Sequence, residues 1–174
     1  MKIAITGRPG IGKTTVFMRT VECLRSTGLK VGGIVCPEVR ERGVRVGFKV
    51  VDLMTGREGW LASVYSPSPI RISKYGVNVE EFEEIGVEAV HRALGEADVI
   101  AVDEVGPMEL KSLKFKQILD EVLASRKPAL LVVHWKLQGQ FVQEVRRKAE
   151  VRVVEVTLYN RDKLPLELCR MLRG

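Results

Sequence analysis

Residues Gly7–Thr14 read GRPGIGKT and stand directly behind the apolar run Ile3–Ile5. The spacing G-x-x-x-x-G-K-T constrains the chain more tightly than any other feature. Gly7, Gly10 and Gly12 allow backbone angles that other residues resist, so successive N–H groups can turn inward on an anion. A helix that starts here adds its unsatisfied N–H groups and positive dipole end. Lys13 can reach the β- and γ-phosphates of a polyphosphate, the Thr14 hydroxyl can ligate magnesium, and Thr15 can contact the α-phosphate. Arg8, Pro9 and Ile11 complete the candidate phosphate-binding loop.

The flanking pattern suits such a loop. Lys2–Thr6 reads as a short buried strand, and Lys13–Ser26 carries Val16, Phe17, Val21 and Leu24 at helical spacing, with Gly28 as its stop. Lys30–Cys36 reads as a second strand, which makes a strand–helix–strand unit and predicts a parallel sheet. Val44, Val46, Phe48 and Val50 then alternate with polar residues. The turn Thr55-Gly56-Arg57 and an extended run at Trp60–Val64 follow, giving an antiparallel hairpin inserted on the α/β core. Ser66-Pro67-Ser68-Pro69 reads as a surface loop. Asn78 is placed to cap a helix running through Ala97, with Glu80 and Glu81 in its first turn. Further strands are expected at Asp98–Asp103, Ala129–His134 and Val151–Leu158, and helices at Leu113–Ser125, Gly139–Lys148 and Lys163–Leu172. The sequence shows no internal repeat and no second domain, so residues 1–174 are expected to form one α/β domain, its mostly parallel sheet flanked by helices.

A phosphate cradle needs a second element to orient the metal and the attacking group. The stretch IAVDEVGPMEL offers one, with Asp103 where an apolar strand meets the ligand-binding edge of an open α/β sheet. Asp103 can hold a magnesium shell, and Glu104 can turn toward the γ-phosphate and polarise a water. Lys13, Asp103 and Glu104 are therefore the candidate catalytic set, with Thr14 and Asp103 as the magnesium ligands. Glu109 is near enough in sequence to assist Glu104 but is not placed in that set.

Composition bounds the rest. A net charge of +6 from 28 basic and 22 acidic residues suits an anionic ligand such as a nucleotide. Nucleic acid is compatible with that charge but not indicated, because the basic residues are scattered and the longest run is Arg146-Arg147-Lys148. No apolar run reaches the roughly 18–20 residues that span a bilayer, and the N-terminus lacks a signal-peptide layout, so a cytoplasmic location is expected. Cys23, Cys36 and Cys169 lie far apart and read as small apolar filler rather than a disulfide framework or zinc site. Asn78 and Asn160 are the only asparagines, a pattern that points toward thermophily.

The loop and the acid pair together resemble P-loop ATPases that carry a catalytic glutamate beside their second acidic motif. A finer resemblance is to a small family of nucleoside-triphosphatases of thermophilic bacteria and archaea, with animal relatives. It runs through GRPGIGKTT, GGIVCPEVRERGVRVGFKVVDLMTGREG, DEVGPMEL and VTLYNRDKLP in that order, and so covers almost the whole chain. The resemblance implies a single P-loop NTPase domain that slowly hydrolyses ATP, GTP and other nucleoside triphosphates to diphosphates, with magnesium. It carries roles onto Lys13, Thr14, Asp103 and Glu104. It also carries a γ-phosphate-sensing role onto His134, although Trp135 and Lys136 stand where the family often has arginine.

Asn160 and Arg161 follow the last strand, where nucleotide kinases of similar architecture hold the base; Arg161 can stack on a base or reach phosphate, while Asn160 can instead cap a helix. Arg40, Arg42 and Arg45 in the hairpin can bring charge to the γ-phosphate or simply face solvent. Two other readings stay open at this level: phosphoryl transfer to a nucleoside, nucleotide or polynucleotide end, and a nucleotide-dependent binding adaptor like those of molybdenum-cofactor assembly. Base preference and oligomeric state are not legible.

Overall fold

Short apolar segments buried on both faces must be covered by helices on both sides, and this requirement organises the molecule. The computed structural model of the chain describes residues 1–148 and 150–174, with side chains for all of these except 142 and 146–148. The basic run Arg146–Lys148 therefore lies outside the described side chains.

Strand β1 (Lys2–Thr6) runs through the phosphate loop into helix α1 (Lys13–Ser26), and β2 (Val31–Val35) follows. An antiparallel section comes next: β3 (Glu38–Glu41), β4 (Val44–Asp52), β5 (Glu58–Ser63), β6 (Arg71–Ile72) and β7 (Tyr75–Val77). Helices α2 (Val79–Phe82) and α3 (Glu88–Glu96) are joined without a break by a π-helical turn at Glu83–Val87. The chain continues through β8 (Val99–Val105), α4 (Leu113–Ala124), β9 (Ala129–Val133), α5 (Gln138–Lys148), β10 (Val151–Glu155) and α6 (Leu164–Arg173).

All the described strands join one sheet, in the order β10-β1-β9-β8-β2-β4-β5-β7-β6, with β3 beside β4. The pairs β10/β1, β1/β9, β9/β8 and β8/β2 are parallel, so their C-terminal ends collect along one edge. Alternation along the strands sorts the core into two layers. Ile3, Ile5, Ala101, Leu130 and Val132 face Val16, Phe17, Val21 and Leu24 of α1 and Leu168 of α6. Ala4, Ile100, Val102, Leu131 and Val133 face Val90 and Ala93 of α3 and Phe115, Ile118 and Val122 of α4. Among the described residues no helix is long and apolar enough to cross a membrane.

Several expectations change. The expected hairpin is present as β4 and β5, and β4 pairs antiparallel with β2 (Ile34↔Asp52, Val35↔Val51), so it extends the core sheet. Asn78 precedes α2 but does not cap it through its side chain. Its Oδ1 accepts from the Ser66 hydroxyl at 2.6 Å, which ties down the Ser66–Pro69 loop. The last strand stops at Glu155 rather than Leu158, since the chain beyond it bends into a hydrogen-bonded turn. The cysteine expectation is also corrected: Cys23 on α1 and Cys169 on α6 form a disulfide. The two helices share one face of the sheet, which brings their Cα atoms to 6.1 Å despite a separation of 146 residues.

Asp52 anchors the β4–β5 turn. Its Oδ1 accepts from the Met54 N–H at 2.8 Å and the Thr55 N–H at 3.3 Å, while Oδ2 meets Arg92 of α3. Burial alone would raise this carboxyl, but the Met54 and Thr55 hydrogen bonds and Arg92 outweigh it and hold the group below the ordinary aspartate value. A depressed folded value stabilises above the unfolded pKa of about 3.9 and loses that contribution as pH falls through the folded value. Asp52→Ala is therefore expected to cost about 1–3 kcal/mol at pH 7, with a smaller cost at pH 2, by denaturant melts at both pH values; an equal cost at both would contradict this. Thiol titration of the denatured, unreduced protein should count one thiol, that of Cys36. Reduction should lower stability by about 2–5 kcal/mol, whereas three free thiols would show that the bridge does not form.

Candidate active site

The phosphate loop is shaped by its own backbone. Gly12 precedes α1 with φ 109°, a left-handed conformation that a side chain would strain, and α1 has no side-chain cap. Its first N–H groups are thereby left for an anion. Inside the loop the Ile11 N–H donates to the Arg8 carbonyl at 3.2 Å. Lys13 folds back over the loop, its Nζ donating to the carbonyls of Gly7 at 2.9 Å and Arg8 at 3.2 Å. Arg8, Pro9, Gly10 and Thr15 are exposed along the same rim.

The acid pair arrives from β8. The Thr14 hydroxyl donates to Asp103 Oδ2 at 2.7 Å, which joins the loop to the strand edge. Glu104 does not turn in because the strand ends, as the sequence suggested; β8 continues to Val105. Its register against β9 instead slips between Asp103 and Val105, so that Glu104 is bulged out of the ladder. Bulges re-aim side chains, and here both carboxylates interact with the Lys13 ammonium.

A further carboxylate lies close by. Glu109, in a 3₁₀ turn at Glu109–Lys111, is 3% exposed and turned back toward Glu104. A Cβ on Gly106 would lie 2.7 Å from Glu109 Oε2 and 3.0 Å from Glu104 Oε1, so only glycine lets the two carboxylates approach across this turn. The thiol of Cys36 just beyond β2 belongs to the same neighbourhood. Sequence reasoning left Glu109 out of the catalytic set and missed Cys36; the Gly106-Pro107 turn was the one available signal for Glu109.

Electrostatics follow from this crowding. Burial pushes Asp103 up to about 6, opposed by the Thr14 hydrogen bond and by Lys13. Burial and the Asp103 charge push Glu104 up to about 7, against the pull of Lys13. Burial, then Glu104, holds Glu109 well above the usual carboxylate range. Burial and the Glu109, Asp103 and Glu104 charges raise the Cys36 thiol well above its ordinary value. Burial lowers Lys13, although the two acids resist the change. The site holds more negative charge than Lys13 balances, and an added cation would relieve it.

His134 ends β9 at the same edge. Its N–H donates to the Val105 carbonyl at 3.0 Å, and Nδ1 accepts from the Lys136 N–H at 3.2 Å. The ring proton therefore sits on Nε2. Burial and the Lys13 and Lys136 charges lower its pKa, which favours the neutral ring.

Arg161 reaches the phosphate loop, where Nη1 donates to the Ile11 carbonyl at 3.2 Å. Asn160 departs from the helix-cap reading. Its Oδ1 accepts from the Thr157 N–H at 2.8 Å and its Nδ2 donates to the Glu155 carbonyl at 2.8 Å. It therefore does not cap α6, whose N-cap is Lys163, and one N–H of its half-exposed amide is not used by these bonds. In the hairpin Arg40 pairs with Glu38 at 2.8 Å, and Arg45 donates to the Tyr75 hydroxyl at 3.0 Å while lying over the Phe48 ring. Arg42 occupies the β3–β4 turn with φ 49°.

The Thr14 hydroxyl and the Asp103 carboxylate are hard oxygen donors of the kind magnesium takes. Magnesium uses one or two protein oxygens and completes its shell with water and substrate phosphates. Among the described residues no group of three His, Cys, Asp or Glu side chains could hold a metal ion.

Comparison with known proteins agrees with this geometry. The profile of the NTPase family matches residues 2–169. The chain is 50% identical over 167 residues to the nucleoside-triphosphatase THEP1 of Thermofilum pendens, covering 95% of this chain and 92% of that one. It is 46% identical over 172 residues to the nucleoside-triphosphatase THEP1 of Methanothermobacter thermautotrophicus, covering 99% and 96%. The crystal structure of THEP1 from the hyperthermophile Aquifex aeolicus superposes with a TM-score of 0.87 at 32% identity, over all of both chains. The solution structure of a human cancer-related nucleoside triphosphatase superposes with a TM-score of 0.82, also at 32% identity, over 99% of this chain and 97% of that one. With the phosphate loop and the acid pair on one sheet edge, and a profile match from the second residue almost to the end, the chain belongs to the NTPase family and is an enzyme of the P-loop nucleoside-triphosphatase class.

Proposed function

We propose that residues 1–174 form one catalytic domain that hydrolyses ATP, GTP and other nucleoside triphosphates to the diphosphate and phosphate, with magnesium as cofactor, in the cytoplasm. The observation that carries this reading is the 2.7 Å hydrogen bond from Thr14 to Asp103, which joins the anion-binding loop to the buried acids. Loop N–H groups and the head of α1 grip the polyphosphate, and Lys13 leaves its loop carbonyls to meet the β- and γ-phosphates. Thr14 and Asp103 would hold the magnesium ion, which when bound neutralises charge on the outer phosphates.

Glu104, in its ionised form, accepts a proton from a water aimed at the γ-phosphorus. The new bond forms between that water oxygen and phosphorus. The bond from phosphorus to the β–γ bridging oxygen breaks, and its electron pair leaves with the diphosphate. The neutral His134, protonated on Nε2, donates to a γ-phosphate oxygen and stabilises the charge that builds there. The nucleotide end lies along Arg161.

Two measurements test this. Lys13→Ala is expected to lower kcat for ATP and GTP by about 10²–10³-fold, in line with the loss of a transition-state donor. Glu104→Gln should lower it by about 10²–10⁴-fold, as for loss of a general base. Phosphate release with magnesium checks both, and rates equal to wild type would remove the proposed site. The pH profile adds a sign. A carboxyl raised to about 7 is neutral below that pH and ionised above it, and the base must be ionised. kcat/KM should therefore rise with pH through about 7, since it reports the free enzyme; a profile flat down to pH 5 would contradict Glu104 as the base.

A further inference from the structure

The turn after β10 leaves one aromatic ring in solvent, two residues before the arginine that bonds to the phosphate loop. The Val156 N–H donates to the Thr6 carbonyl at 2.8 Å, so the chain leaves the sheet against the start of that loop. It then closes on itself. Besides the two Asn160 side-chain bonds, the Asn160 N–H donates to Thr157 Oγ1 at 3.3 Å and the Arg161 N–H to the Thr157 carbonyl at 3.0 Å. Each of these bonds closes within residues 155–161. Leu158 and Tyr159 are left outside, 65% and 98% exposed.

Sheet order says which part of a nucleotide arrives here. The strand carrying the phosphate loop, β1, has β9 and then β8 on one side and β10 on the other. The acids and His134 lie at the ends of β8 and β9, so the γ-phosphate end of a triphosphate occupies that side. Its nucleoside end must leave toward β10, where Arg161 already lies over Ile11. Tyr159 Cα is within about 7 Å of Arg161 Cα along the chain.

We propose that Tyr159 is the base platform of the nucleotide site, stacking its ring on the nucleobase while the Arg161 guanidinium lines the other side. This rests on the reading under Proposed function. The contact does not discriminate. Both polar atoms of the Asn160 amide already bond within the turn, and an aromatic face accepts any base. One ring then serves purine and pyrimidine triphosphates alike, and base-independent hydrolysis is a property of this turn.

Steady-state kinetics with ATP, GTP and CTP, and inhibition of ATP hydrolysis by inorganic tripolyphosphate, test the proposal. Base–aromatic stacking is typically worth about 1–3 kcal/mol, so Tyr159→Ala should raise KM about 5- to 150-fold. The rise should be of similar size for the three nucleotides, with little change in kcat. The inhibition constant of tripolyphosphate, which has no base, should stay as in wild type. Tyr159→Phe should restore KM, because the ring and not the hydroxyl carries the contact. Tyr65→Ala, at an exposed tyrosine bonded to Glu41, should leave KM unchanged. Weakened tripolyphosphate inhibition in Tyr159→Ala would assign Tyr159 to loop support and overturn the proposal. So would an unchanged KM, a loss confined to one base, or a failure of Tyr159→Phe to rescue. Any of these results with Lys13-dependent hydrolysis intact sinks the platform alone; wild-type protein without nucleotide hydrolysis sinks the functional reading as well.

Discussion

The hydrogen bond from Thr14 to Asp103 spans 89 residues of sequence and 2.7 Å of space, and the site is organised around it. It exists because β1, β9 and β8 run parallel, so the loop after β1 and the acids of β8 finish at one edge. Parallel strands need long crossovers, and α1, α4 and their neighbours supply these while burying both sheet faces. The core thus does more than stabilise the fold, since its register sets which side chains meet at the edge. A slip of one residue in β8 would turn Asp103 away from Thr14.

Around that bond the protein concentrates charge that it does not neutralise itself. Asp103, Glu104 and Glu109 crowd one pocket, and Lys13 is the cation that acts on the first two. Burial raises all three carboxyls, and the raised values make the site receptive to a cation accompanying the substrate. The same crowding brings Glu104 up to about 7, the range in which the proposed base is most useful. Local disorder in the β-ladder serves the same end: the bulge at Glu104 gives up ladder pairing to β9 so that successive residues can face one ligand.

Much of this was legible in the sequence because the signals are local. The strand–loop–helix unit at Lys2–Ser26 is written in apolar spacing and glycine, and its helix matches the expected residues. Asp103 follows from an apolar strand ending in acid. What the sequence hid depends on distant or fine geometry. The Cys23–Cys169 bridge joins helices whose adjacency only the sheet order creates. Glu109 reaches Glu104 only because the chain reverses at Gly106, and Cys36 joins them from just beyond β2. Asn160 carries an amide with partners inside its own turn, which composition cannot show. Short strands such as β6 and β7 fall below the length at which alternation can be recognised.

A structure with a non-hydrolysable triphosphate and magnesium tests the central claim most directly, namely that the loop and the acid pair form a single metal-bridged site. The account predicts the γ-phosphate against Lys13, and the ion about 2.0–2.1 Å from Thr14 Oγ1 with Asp103 in direct contact or one water away. A triphosphate seated away from Lys13, or an ion held without Thr14 and Asp103, would contradict it.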